Sequence, residues 1–83
     1  MTFFVYLIIS KKKDKLISYV GYTNNLHKRI EKHNSSKGAK FTRGKKWKII
    51  YTKKFLSKSK AMKYEYKLKK NRKDRLSIIK QMI

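Results

Sequence analysis

The seven residues Phe3 to Ile9, FFVYLII, constrain this chain more than any other stretch. A tyrosine hydroxyl is their only polar side-chain group, and at this length their Phe, Val and Ile content favours a strand over a helix. Side chains of a strand point alternately to its two faces. A strand apolar on both faces needs cover on both, which predicts a central position in a sheet with other elements packed above and below.

The rest of the chain supplies that cover. Lys11 to Lys15, with Asp14, reads as a charged turn, and Leu16 to Tyr22 returns as an antiparallel strand in which Ile17, Tyr19 and Val20 carry the strand character. Gly21 marks a turn at its end. An even number of turn residues puts Tyr6 and Tyr19 on one face of this hairpin. Asn24 or Asn25 then caps a short helix whose stripe is Leu26, Ile30 and His33. Arg29 lies at the edge of that stripe, one turn before His33, so the two share a face, whereas His27, Lys28, Glu31 and Lys32 point away. Ser35 to Gly44 is a polar loop, and Trp47 to Phe55 supplies a third strand. Ser57 or Ser59 opens a helix to about Lys70 with Ala61, Tyr64 and Leu68 inward. Asn71 breaks it and caps a last helix with Leu76, Ile79 and Ile83 at helical spacing. The order strand, strand, helix, strand, helix, helix predicts an α/β architecture of the α+β type. It is a three-stranded antiparallel sheet with flanking helices, in one domain over residues 1–83.

Charge narrows the function classes. Lys and Arg number 25 against 4 Asp and Glu, a formal net charge of +21. Such a surface repels itself, and a polyanion is the simplest partner: nucleic acid first, an anionic membrane second. Lys, Ile, Asn and Tyr are also what an AT-rich genome encodes, so charge alone does not decide. Lys37, Lys40 and Arg43 in the polar loop are candidate phosphate contacts, and Phe41 among them either meets a base or plugs the edge of the core. With no cysteine, disulfides and thiolate metal sites are excluded. The apolar run at the N-terminus is too short to span a bilayer and lacks a preceding basic region and a cleavage site, which predicts a cytoplasmic protein.

Glu65 is the acid that stands out. It falls between Ala61 and Leu68 on the inward stripe of its helix, where an ionised carboxylate needs a counter-charge. Lys69, four residues on, supplies one as an intrahelical pair, and a half-buried pair with Arg29 is a second solution. A third is a hard divalent ion, Mg²⁺ or Mn²⁺, held through oxygen. Tyr6 and Tyr19 read as sheet aromatics, the common place of strand tyrosines. His33 reads as a satisfied histidine closing the helix stripe.

The stretch YVGYTNNLHKRIEKHN, residues 19–34, resembles the GIY-YIG nuclease superfamily, with Tyr19-Val20-Gly21 in the place of YIG and Val5-Tyr6-Leu7 in the place of GIY. Eleven residues, 8–18, separate the tripeptides, as the pattern expects. KGAKFTRGK, residues 37–45, is a second match, and the whole is most similar to the small single-domain bacterial group related to the Slx1 nuclease domain. The resemblance implies hydrolysis of DNA phosphodiester bonds with one divalent ion, Mg²⁺ or Mn²⁺. Tyr6 would be general base on the attacking water, Arg29 would hold the scissile phosphate, and Tyr19 would bond the water or phosphate. His33 would carry a proton or orient Tyr6, Glu65 would hold the metal, and Gly21 would let the backbone pack closely beneath the site. A domain this small binds through backbone charge and shape, which implies structure- or strand-selective cutting of branched, nicked or single-stranded DNA, without sequence specificity. RNA is an alternative substrate, and an unknown protein is a further candidate partner. The rival readings are a nucleic-acid-binding module that keeps the fold without turnover and a lysine-rich RNA- or ribosome-associated protein.

Overall fold

In the computed structural model, residues 1–35, 37, 40–42 and 44–82 are described, the side chain of Lys12 excepted. Strands β1 (Phe3–Lys12) and β2 (Lys15–Thr23) are followed by helix α1 (Leu26–Asn34), a 3₁₀ turn at Lys40–Thr42 and strand β3 (Lys48–Phe55). Helices α2 (Lys58–Lys70) and α3 (Arg72–Met82) complete the chain. The sheet order is β2-β1-β3, antiparallel throughout, so the apolar run is central as its two-sided hydrophobicity predicts.

A two-residue turn, Lys13-Asp14, joins β1 to β2, with Lys13 in the left-handed region at φ 56°. Its even length keeps Tyr6 and Tyr19 on one face: Tyr6 pairs with Gly21, and Ile8 with Tyr19. A bulge between Leu7 and Ile8 in the pairing with β3 opposes Leu7 to Tyr51 and Ile8 to Ile49, leaving Ile50 unpaired. Ile50 thereby turns to the face of Leu7.

The alternation along β1 divides the interior in two. Val5, Leu7 and Ile9 join Val20, Ile50, Ala61, Leu68 and Ile79 in an apolar cluster under α2 and α3. Tyr6 and Ile8 face the other way, with Trp47, against Leu26 and Ile30 of α1. Tyr22 and Tyr51 pack against the first cluster, and the Tyr51 and Tyr64 hydroxyls meet at 2.9 Å. Burial first, and then that hydrogen bond, push the Tyr64 phenol up to about 12.

The caps are specific. Asn25 Oδ1 accepts from the Lys28 amide at 3.1 Å, Ser57 Oγ from that of Lys60 at 3.4 Å, and Asn71 Oδ1 from that of Asp74 at 3.0 Å. Two sequence expectations need correcting. Gly21 makes no turn, because β2 runs on to Thr23. In α3 Leu76 is half exposed, and the buried stripe is Ile79 with Ile78 beside it. The reason lies in Arg75, whose guanidinium donates to the carbonyls of Leu68 (3.0 Å) and Lys69 at the C-terminus of α2. That placement answers the negative end of the helix dipole and turns Leu76 outward. Ile83 lies outside the described residues.

Candidate active site

The face of Tyr6 carries a polar chain in an otherwise apolar wall. Tyr6 is 2% exposed, and His33 and Thr42 are fully buried. The Tyr6 hydroxyl is 2.9 Å from His33 Nε2, and His33 Nδ1 is 2.8 Å from Thr42 Oγ1. Arg29 Nε donates to the Tyr6 oxygen at 3.3 Å. One direction of the chain gives every proton in it an acceptor. A guanidinium only donates, so the Tyr6 oxygen accepts from Arg29, and the acceptor among its described contacts for the phenol proton is His33 Nε2. Neutral His33 then carries its proton on Nδ1 and donates it to Thr42.

Each member is placed by local structure. Asn25 starts α1 in the register that turns Leu26, Ile30 and His33 toward the sheet, with Arg29 beside them. Gly21 sits directly opposite Tyr6, and a methyl carbon there would lie 2.6 Å from Tyr6 Cζ and closer still to the hydroxyl. The glycine is needed for that close approach, since without a side chain it lets the tyrosine ring lie across β2 toward His33. Thr42 is delivered by the 3₁₀ turn, whose far side is tied down at Trp47. Asn34 Oδ1 accepts from the Trp47 amide at 2.5 Å, Asn34 Nδ2 donates to the Trp47 carbonyl at 3.2 Å, and Trp47 Nε1 donates to the Thr42 carbonyl at 3.0 Å.

The electrostatics are those of a neutral relay beside a fixed cation. Burial raises the Tyr6 phenol above its usual range; Arg29, through its hydrogen bond and its charge, pulls the other way without winning, and the Tyr19 and Glu65 charges add to the rise. His33 is held below the ordinary histidine value, first by burial and then by the Arg29 charge. Arg29 is held more firmly in its charged form, above all by its bond to Tyr6, with Tyr19 contributing.

Tyr19 packs edge-on against His33, ring centroids 5.2 Å apart. Glu65 Oε1 lies 3.9 Å from Lys69 Nζ, with 17% of the glutamate side chain exposed. Among the described residues this is the ion pair Glu65 makes, so the pair with Arg29 is not formed. Lys69 Nζ in turn sits 5.6 Å from the centroid of the Tyr19 ring. Tyr6, Tyr19, Arg29 and His33 are thus one contact group, with Glu65 at its border through Lys69. Lys37 and Lys40 are exposed beyond it, and Arg43 lies outside the described residues. His27 pairs with Glu31 at 3.2 Å on the solvent side of α1.

Residues 2–77 match the GIY-YIG catalytic domain. The chain belongs to the GIY-YIG family. A UPF0213 protein of Oceanobacillus iheyensis is 46% identical over 65 residues, covering 77% of this chain and 74% of the relative. A UPF0213 protein of Clostridium perfringens is 45% identical over 76 residues, 89% of this chain and 81% of its own. The solution NMR structure of a UPF0213 protein from Bacillus halodurans superposes with a TM-score of 0.53 at 37% identity, over 98% of this chain and 85% of that one. The two halves of the GIY-YIG motif lie side by side here, Val5-Tyr6-Leu7 on β1 and Tyr19-Val20-Gly21 on β2, with Leu7 paired to Val20.

Thr42 and the Asn34–Trp47 clasp have no role in the sequence reading. Thr42 lies nine residues from His33, across a loop with no periodicity to report its direction. The one sequence signal is its place inside KGAKFTRGK.

Proposed function

We propose that this GIY-YIG domain is a divalent-metal-dependent endonuclease that hydrolyses DNA phosphodiester bonds, with the kinship to the Slx1 nuclease domain that its sequence suggests. The observation that carries the reading is the buried chain Arg29–Tyr6–His33–Thr42. A tyrosine that only filled the core needs one acceptor for its proton, but not a cation on its oxygen as well.

The chain's own groups account for the proton. As a water attacks phosphorus, its proton passes to the Tyr6 oxygen while the phenol proton passes to His33 Nε2. The resulting imidazolium keeps its Nδ1–H on Thr42. Because burial keeps Tyr6 protonated at rest, the tyrosine works as a relay rather than as a standing phenolate. Arg29 has five donors and binds Tyr6 with one of them, which leaves others for the phosphate oxygens as charge grows there. Tyr19 lines the same wall and orients water or phosphate.

Glu65 is the residue that would hold the metal. Among the described residues no three His, Asp or Glu side chains gather into a metal cage. One carboxylate, loosely paired with Lys69, fits Mg²⁺ or Mn²⁺, which bind through one or two carboxylates together with water and substrate phosphate. Bound there, the ion supplies positive charge to the leaving oxygen. No helix among the described residues is long and apolar enough to cross a membrane. The basic surface fits backbone-directed binding to branched, nicked or single-stranded DNA.

The test is cleavage of labelled single-stranded, duplex and branched DNA with Mg²⁺, with Mn²⁺ and with chelator. Wild type cuts in metal, and Glu65→Gln falls to the level of the chelator lane while still binding DNA. Binding without cutting by either protein overturns the nuclease in favour of a non-catalytic DNA- or RNA-binding module.

A further inference from the structure

Phe41 does not plug the core. It is 52% exposed, yet it is held in place: its ring stacks on Tyr19 with centroids 6.1 Å apart and planes at 21°, and Trp47 lies 6.3 Å away. Lys45 donates to the Phe41 carbonyl at 3.0 Å and brings its ammonium within 5.3 Å of the ring centroid. Beside the ring is an open depression of about 240 Å³ lined by Ser18, Tyr19, Val20, Phe41, Lys69 and Arg75. Half of an aromatic surface thus faces water, flanked by cations. Tyr19 joins this ring to the site, since it touches Phe41 and His33 both.

From this arrangement we infer that Phe41 is a stacking platform for one unpaired nucleobase of a DNA strand, whose neighbouring phosphate lies at Arg29. The inference rests on the nuclease reading for its orientation and adds to it a substrate class, strands with at least one unpaired base next to the cut. A base exposes its π-face only when it is out of a duplex, so a platform of this kind rewards single-stranded or frayed DNA. Lys45 and Lys69 supply the charge that keeps the backbone alongside. Other large exposed apolar side chains, such as Leu56 and Tyr66, have no described ring or hydrogen-bond contact with the Tyr6–His33 group.

The deciding experiment is fluorescence anisotropy with wild-type protein in chelator, so that binding is read without cutting. The probes are a labelled single-stranded deoxyoligonucleotide, its duplex, the same strand with one abasic residue at successive positions, and the ribo-oligonucleotide of the same sequence. Phe41→Ala weakens single-strand binding by roughly ten-fold and leaves duplex binding within about two-fold, the size expected for one stacked base. Phe41→Trp binds as well as wild type. Phe41→Leu, which preserves apolar packing on Tyr19 but offers no ring, is as weak as Phe41→Ala. One abasic position costs wild type a similar factor and costs Phe41→Ala nothing more. Phe41→Ala leaves the slope of log K against log salt unchanged, whereas Lys45→Ala lowers it by about 0.7 for a single strand.

Equal losses on single strand and duplex, no loss on either, or wild-type binding by Phe41→Leu overturns the platform. A loss confined to the ribo-oligonucleotide overturns its assignment to DNA. Because the readout is binding, failure of the platform is distinct from failure of the nuclease, which shows as no cutting in metal with this binding pattern intact.

Discussion

The two faces of β1 use the same backbone for opposite ends. Val5, Leu7 and Ile9 face α2 and α3 in a wholly apolar cluster, whereas Tyr6, one residue away from both Val5 and Leu7, faces a chain of buried polar groups. Apolar burial gives stability that is non-directional and tolerant of detail. A buried polar chain gives direction, because each donor must find its acceptor or incur the cost of desolvation. One strand can serve both because its side chains alternate between the two faces.

This division is broken most sharply at adjacent residues. Tyr6→Phe removes the relay oxygen, and cleavage falls by about 10²–10⁴-fold, the usual range for a positioned acid or base. Leu7→Ala lies on the other face, fully buried, and costs about 2–5 kcal/mol of stability. That is a large share of the roughly 5–15 kcal/mol available to a small domain. Urea melts and single-turnover cutting measured on both variants separate the two effects. Tyr6→Phe keeps most of its midpoint and loses rate, while the folded fraction of Leu7→Ala cuts at the wild-type rate. Equal loss of rate in the two would show that the faces are not independent.

Gly21→Ala couples them. The added methyl overlaps the Tyr6 ring, and relieving the overlap costs about 1–3 kcal/mol and moves the hydroxyl away from His33. The expected result is a lower urea midpoint together with a loss of cleavage larger than the fraction unfolded explains. Gly21→Ala in a Tyr6→Ala background recovers part of the stability but none of the activity, which identifies the ring as what the glycine accommodates.

Much of this was legible in the sequence, and the limits have physical causes. The central strand and the order of elements follow from apolar runs, which are properties of neighbouring residues, whereas the shared face of Tyr6 and Tyr19 depends on an even turn, which the Lys12–Lys15 pairing supplies. Arg29 and His33 share a face because a helix repeats every 3.6 residues. Gly21 reads as a turn from its strand and as a point of close packing from the family resemblance, because a glycine in a strand pattern has two meanings, and the partner strand shows the second. Helical spacing groups Leu76 with Ile79, and periodicity does not report that Arg75 has carbonyls to cap. Thr42 and Phe41 come from a loop, where direction is set by the Asn34–Trp47 clasp and no sequence period reports it.

The smallest effect tests the polar face from within. A buried neutral His33 has its pKa below that of the unfolded chain, so between those two values the unfolded state binds more protons and stability falls as pH falls. The contribution is complete above the unfolded histidine value, about 6.5, and is lost as pH drops through the folded value, at about 1.4 kcal/mol for each unit between them. Urea midpoints between pH 7.5 and about 5 should therefore decline in wild type and flatten in His33→Gln. The same proton stops the chemistry, because a protonated Nε2 cannot accept from Tyr6, so the acid limb of the cleavage rate lies below the ordinary histidine range. Thr42→Val removes the acceptor of Nδ1–H and leaves that proton buried, at a cost of about 1–3 kcal/mol. With its proton no longer fixed on Nδ1, the ring can carry it on Nε2 instead, and the cleavage rate drops at every pH. Thr42→Ser keeps the hydroxyl and restores it, an outcome that a purely packing role for Thr42 does not produce.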